Sequence, residues 1–195
     1  PLNAASLAAF DVVKEVEKKY PDCGVEIYNI FSKDMEKALK EWAYDFVIGP
    51  MADLSKNVDY DLMYRDFYVL VVPKRYDLET YAEYGEQGSF PVIDMKKLPP
   101  MDYIFQDETT FVRKGINRIL EKQKLSIAPR LVVTSSTLAL QAAENGFGCC
   151  IVSTGHLAYL NQSANLKVYL IKGEETSSCG VAYLHNKIFS EEEKC

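Results

Sequence analysis

Apolar residues recur along the chain at two spacings, one helical and one strand-like, and the alternation between them lays out the elements. Leu7, Phe10, Val13, Val16 and Tyr20 follow helical spacing with Asp11, Lys14, Glu15 and Lys18 between them, and Pro21 ends the run. Val25 to Phe31 reads as a strand, Ser32 as the N-cap of a second helix, and Met35, Leu39 and Trp42 as that helix's buried stripe. Tyr44 to Gly49 is the next strand. Helix, strand, helix, strand at this spacing predicts parallel strands joined by right-handed crossovers, with a further strand expected ahead of Pro1.

A polar connection follows Gly49-Pro50 as far as Leu62, and Phe67 to Val72 is a strongly apolar strand stopped by Pro73. Residues 74–100 are polar and rich in turn signals, with Gly85, Gly88, Pro91, Pro99 and Pro100. Alternation then resumes. Tyr103-Ile104-Phe105 is a strand, and Gln106 to Thr110 opens a helix with Val112, Ile116, Ile119 and Leu120 on one face. Leu131-Val132-Val133 is the next strand, and Thr134-Ser135-Ser136 starts a helix carrying Leu138 and Ala142 that ends at Gly146, where positive φ is needed. Cys149 to Val152 is a strand, followed by a short helix near Gly155 to Leu160, strands at Lys167 to Ile171 and Gly180 to Leu184, and a helix start at Ser190.

In such strand-to-helix units the strands end on one edge, so the free N–H groups of successive helices face one crevice suited to a small anion. Ser and Thr fit these starts because their hydroxyls satisfy orphan N–H groups or turn to a ligand. Taken singly, each hydroxyl is a cap; their convergence is what makes a site.

Composition narrows the function. The 195 residues carry 22 basic and 28 acidic side chains with no basic run, so this segment lacks the electrostatic footprint of a duplex-binding domain. No membrane-length apolar run and no signal-like N-terminus occurs, which predicts a cytoplasmic setting. The 5 cysteines and 2 histidines have no metal-ligand spacing, so neither a disulfide scaffold nor a metal site is expected, and no cofactor. Adjacent Cys149 and Cys150 should point to opposite faces and pack as small hydrophobes, and His156 should serve local hydrogen bonding.

The composition shift at 73–100 and the second shift after Ser153 predict an α/β protein of two Rossmann-like lobes joined by two crossing segments. Lobe I is expected to comprise 1–72 and 156–195, and lobe II 73–155, with the ligand cleft between them. From Val13 to about Leu160 several motifs occur in order: Tyr20-Pro21 closing a helix, capped Ser32 to Leu39, Tyr44-Asp45-Phe46-Val47-Ile48, Phe67 to Pro73, Arg113 to Leu120, and Gly146-Phe147-Gly148-Cys149-Cys150-Ile151-Val152. This ordered set resembles the effector-binding domain of LysR-type transcriptional regulators, built on the type 2 periplasmic-binding-protein fold. Asn117 stands where the family has Asp, Tyr76-Asp77-Leu78 where it has His-Pro-Leu, and Ser153 where it has Pro.

By position, the resemblance implies effector contacts from the loop Asn3 to Ser6 and from Ser32, Gly49, Gln106, Thr109, Thr110, Ser135 and Ser136. Arg113 has two readings, a bidentate partner for an effector carboxylate or one half of a structural salt bridge. Lys33 and Lys114 are read as solvated. The implied function is a sensor that binds a small polar or anionic metabolite without changing it. It would pair as a homodimer or tetramer, with the helix Asp34 to Ala43 a candidate surface, and act on DNA only through an N-terminal winged helix-turn-helix absent from this stretch. Two rivals share the fold: a solute receptor of a transporter, and a dehydratase or deaminase using Thr110 or Glu108 for proton transfer.

Overall fold

β3 (Tyr68–Pro73) is buried at every position, which a strand achieves only in the middle of a covered sheet. In the computed structural model it pairs antiparallel with β8 (Cys149–Ser153) on one side and β9 (Leu166–Ile171) on the other. Residues 4–51, 54–85, 90–160, 165–173 and 177–194 are described. The chain divides into two compact units, Pro1–Arg65 with Ser177–Cys195, and Asp66–Thr176.

The first unit contains α1 (Ala4–Lys19), α2 (Met35–Lys40) preceded by the 3-10 turn Ser32–Asp34, β1 (Val47–Pro50), most of β2 (Val58–Asp66), and β10 (Ser177–Leu184). Its sheet has the order β1-β10-β2, with β1 antiparallel to β10 from Val47↔Ala182 to Pro50↔Cys179. Met35 and Leu39 of α2 pack on Val47, Met51, Val58 and Ala182. The last residues are tied in by Phe46, Tyr183 and Phe189, whose rings stack or meet edge-on, and by Lys187, which bridges Asp45 and Glu193.

The second unit adds β4 (Ala82–Glu83), β5 (Val92–Ile93), β6 (Tyr103–Gln106), α3 (Phe111–Gln123), β7 (Leu131–Val133) and α4 (Ser136–Glu144). The seven strands run β4-β5-β9-β3-β8-β6-β7. Side-chain alternation splits the core in two. Tyr68, Leu70 and Val72 join Phe105, Cys149 and Ile151 under Ile116, Ile119 and Leu120 of α3. Val69 and Val71 join Ile104, Cys150 and Val152 under Ala139, Leu140 and Ala143 of α4. Cys149 and Cys150 thus face opposite layers as expected, and burial pushes the Cys149 thiol up to about 12 and Cys150 further in the same direction. Both stay thiols at neutral pH.

Several expectations are corrected. β3 and β9, expected in the first lobe, hydrogen-bond into the sheet of the second unit, because the buried strand β3 is paired on both edges there. Residues 25–31 form no strand: among the described residues no strand pairs with them, and Phe31 O accepts from Asp34 N at 2.9 Å in the turn that leads into α2. α2 ends at Lys40, and Trp42, expected in its buried stripe, is 69% exposed at φ 56°. α4 buries Ala139, Leu140 and Ala143, leaving Leu138 45% exposed. No helix starts at Ser190, where the chain makes only turns. β2 lies partly in the stretch expected to be a polar connection.

Gly146 closes α4 at φ +78°, as expected, and Phe147 N returns to Ala142 O at 3.0 Å. Two residues later the chain passes so close to β6 that a Cβ on Gly148 would lie 2.6 Å from the backbone oxygen of Asp102, which cannot move aside. Gly148→Ala is expected to cost about 1–3 kcal/mol, as overpacking does, read as a lowered urea midpoint at unchanged slope.

Candidate functional site

β6 pairs parallel with β7 and with β8, so all three strands end on the same edge. Each of the two crossovers returns through a helix that starts at that edge. After β6 the chain turns through Asp107, whose N–H is held by Val133 O at 2.8 Å at the end of β7. Asp107 Oδ1 accepts from Thr109 N at 3.0 Å and Thr109 Oγ1 at 2.7 Å, an Asx turn that sets up the helix. Thr110 is the N-cap of α3: its Oγ1 accepts from Arg113 N at 3.2 Å and donates to Asp107 O at 2.9 Å. Ser135 caps α4 in the same manner, accepting from Leu138 N at 3.2 Å, and its hydroxyl proton has no acceptor among the described residues.

Gln106 ends β6 and is fully buried. Its Nε2 donates to Ile151 O at 3.1 Å and to Ser136 Oγ at 3.3 Å, which pins the amide at the first residue of α4. Behind it lies Arg113, whose side chain is only 11% exposed. The guanidinium sits 4.9 Å over the Phe105 ring, donates from Nη1 to Gln106 O at 2.9 Å and from Nε to Asn117 Oδ1 at 2.8 Å, and pairs through Nη2 with Glu108. Asn117 Nδ2 in turn donates to Glu108 Oε2 at 2.9 Å. An Asn suits this place because it accepts from Arg113 and donates to Glu108, whereas an Asp could only accept. Of the two readings for Arg113, the geometry is that of the structural salt bridge.

Gln106, Thr109, Thr110, Ser135 and Ser136 therefore gather at one edge of the second unit, with Thr109 exposed and Ser136 buried. Ser6, Ser32 and Gly49 belong to the first unit. Ser6 lies in the first turn of α1 rather than in a loop, and Asn3 is outside the described residues. Ser32 opens the 3-10 turn before α2, and Gly49 is a buried β1 residue whose added Cβ would meet Met35 at 3.0 Å. Lys33 and Lys114 are exposed. A groove lined by Lys19, Tyr20, Cys23, Ser190 and Glu193 holds none of the candidate residues.

The family profile of the LysR substrate binding domain matches residues 3–190. The chain belongs to this family. It is the effector-binding module of a LysR-type regulator, and its fold is the type 2 periplasmic-binding-protein-like fold of that family. No protein of curated function matches the sequence. Among solved structures, the regulatory domain of CcmR from Synechocystis PCC6803, in complex with 2-PG, is similar at TM-score 0.81 and 16% identity, over 98% of this chain and 88% of that one. The effector-binding domain of QuiR in complex with shikimate is similar at TM-score 0.77 and 18% identity, over 95% and 85%. A Corynebacterium glutamicum OxyR C206 mutant is similar at TM-score 0.76 and 16% identity, over 98% of this chain and 58% of that longer one.

The LysR-type domain also holds a polar cluster at the end of β8, in which His156 makes the local hydrogen bond expected of it and Asp66 is the member the sequence did not mark. Asp66, 6% exposed, accepts from Gly155 N at 2.8 Å and from the Thr154 hydroxyl, closing the N-terminus of the 3-10 helix Thr154–Tyr159. Ser153 Oγ meets His156 Nδ1 at 2.8 Å, and both residues are buried. Burial holds the His156 imidazole below its ordinary value of 6.5, with Asp66 opposing the shift.

Two outcomes follow from these contacts. Thr110→Ala and Ser135→Ala should each cost about 1 kcal/mol through the lost cap, and Thr110→Ser should recover most of it, by urea denaturation. Because His156 stays neutral in the fold while the unfolded chain takes up its proton near 6.5, its contribution is intact above that value and is lost as pH falls below it. The urea midpoint should therefore drop between pH 7.5 and 5.5, and the drop should be smaller in His156→Asn.

Proposed function

We propose that the capped edge of β6 and β7 is where this LysR-type domain takes its effector, a small polar or anionic metabolite. The observation that carries the reading is the paired arrangement of Thr110 and Ser135: two helices on opposite faces of the sheet start at the same edge, after adjacent parallel strands, each capped by a hydroxyl. Helix starts present N–H groups and partial positive charge, so oxygen-rich ligands are favoured there. Gln106, Thr109 and Ser136 complete the second unit's contacts; Arg113 acts behind them by holding Gln106 O.

Binding without chemistry is the natural mode. Thr110 and Glu108, the groups a dehydratase or deaminase on this fold would use, are both engaged: Thr110 between Arg113 N and Asp107 O, Glu108 by Arg113 and Asn117. The effector then acts by its differential affinity for one of the module's conformations, and passes that bias to a DNA-binding domain elsewhere in the regulator. The regulator would be a cytoplasmic homo-oligomer. Among the described residues no helix is long and apolar enough to cross a membrane.

A thermal-shift screen of small carboxylates and phosphorylated acids, begun with 2-PG and shikimate, tests this. A ligand at 100 times its Kd adds about 2.7 kcal/mol to the stability of the fold. Ser135→Ala should weaken the best hit at least tenfold, about 1.4 kcal/mol, and the hit should be recovered chemically unchanged. An undiminished shift in Ser135→Ala would move the site elsewhere, and turnover would make the domain an enzyme.

A further inference from the structure

The amide of Gln106 is only half satisfied. Its Nε2 has two acceptors, Ile151 O at 3.1 Å and Ser136 Oγ at 3.3 Å, and this fixes which end of the amide is which: a flipped oxygen would face the Ile151 carbonyl. Oε1 is fully buried and has no hydrogen-bond partner. A carbonyl oxygen stranded in this way carries the full cost of its lost hydration, so the two bonds of Nε2 give a structural reason for half of the amide and none for Oε1. Both heteroatoms of the amide share one carbon, so Oε1 lies with Nε2 at the start of α4. There the N–H groups of Ser136 and Thr137, and the Ser135 hydroxyl, have no acceptor among the described residues.

The two needs are opposite in kind. Oε1 requires a donor, and the helix start requires an acceptor. A carboxylate or fully ionised phosphate oxygen meets the second and repels the first. An ammonium group meets the first and is disfavoured by the positive end of the helix. A neutral alcohol satisfies both with one atom. We infer that Gln106 makes this site selective for a hydroxylated ligand, whose alcohol donates to Gln106 Oε1 while accepting from the N-terminal turn of α4. This rests on the effector site proposed above and narrows its ligand class from polar or anionic metabolites to hydroxy acids and their like.

As the chain stands, Oε1 is closed to water. A hydroxyl therefore reaches it only if the start of α4 or the 107–110 turn yields, and the hydrogen bond gained there is available only in the yielded arrangement. Such a bond is a differential interaction of the kind a ligand needs to shift a conformational equilibrium, so the same contact that selects the ligand also contributes to the switch.

Matched pairs test the inference by calorimetric titration of the whole chain: glycerate against propionate, malate against succinate, and shikimate against cyclohex-1-enecarboxylate, each pair differing only in hydroxyl groups. The hydroxylated member of at least one pair should bind tenfold or more tightly than its partner, since a site built to pair a hydroxyl discriminates strongly against the analogue lacking it. In Gln106→Met the ratio should fall towards one. Equal or tighter binding of the deoxygenated members overturns the hydroxyl assignment and leaves the effector site standing, and so does a ratio unaltered in Gln106→Met. Silence from all six ligands, with inorganic phosphate silent too, overturns the effector site at this edge and the hydroxyl assignment with it. The wild-type comparison keeps the inference testable if Gln106→Met fails to fold.

Discussion

The two-sided parallel pairing of β6 is the constraint from which the second unit is built. Four consecutive buried residues, Tyr103 to Gln106, are hydrogen-bonded to β7 on one side and β8 on the other, all running the same way. A strand so placed cannot reach its parallel neighbour through a hairpin, so the chain must leave the sheet, cross over as a helix and return. That requirement puts the beginnings of α3 and α4 at one edge. It also makes Gln106 the last residue of a rigid element, so its amide is positioned by the sheet and not by a loop.

Arg113 converts that edge from a pair of turns into a braced surface. Its guanidinium directs its donors to Asn117, the Gln106 carbonyl and Glu108, and its carbon sits 4.9 Å from the centre of the Phe105 ring. Because Glu108 is largely solvent-exposed, the ion pair itself contributes little; the hydrogen bonds to Gln106 O and Asn117, made by a largely buried guanidinium, carry more. The cation is engaged by the scaffold, so the groups that the proposed effector would meet at this edge are hydroxyls, helix N–H groups and one amide. A set of that composition discriminates by donor and acceptor pattern more than by net charge.

Much of this unit was legible in the sequence because every local signal agreed. The β6-α3-β7-α4-β8 series, the caps at Thr110 and Ser135, the positive φ at Gly146 and the opposite faces of Cys149 and Cys150 all follow from period, turn chemistry and apolar run length. The register of α4 slipped because its buried face is made partly of alanines, Ala139 and Ala143, while the larger Leu138 points outward and dominates any hydrophobic pattern. β2 was hidden for a related reason: only its ends, Val58 and Asp66, are buried, and the residues between them, charged ones included, read as a loop. The 25–31 segment shows the converse, a strand-like sequence with no strand paired to it among the described residues. Asp66 was out of reach altogether, since its partners Thr154 and Gly155 lie 88 and 89 residues away and nothing local marks the pairing. At the candidate site the caps were readable, whereas the engagement of Arg113 and the half-satisfied Gln106 depend on side-chain geometry that no spacing encodes.

Trp42 is the chain's single tryptophan, and it sits just past the end of α2, mostly in solvent. Its indole emission accordingly starts from a red-shifted, water-exposed state, leaving little further change when the chain unfolds. It also resides in the first unit, whereas the Gln106 edge is in the second. Intrinsic fluorescence is therefore a poor optical reporter of unfolding for this domain; a tryptophan placed at Phe105 or Tyr103 would put the chromophore inside the layer that α3 covers.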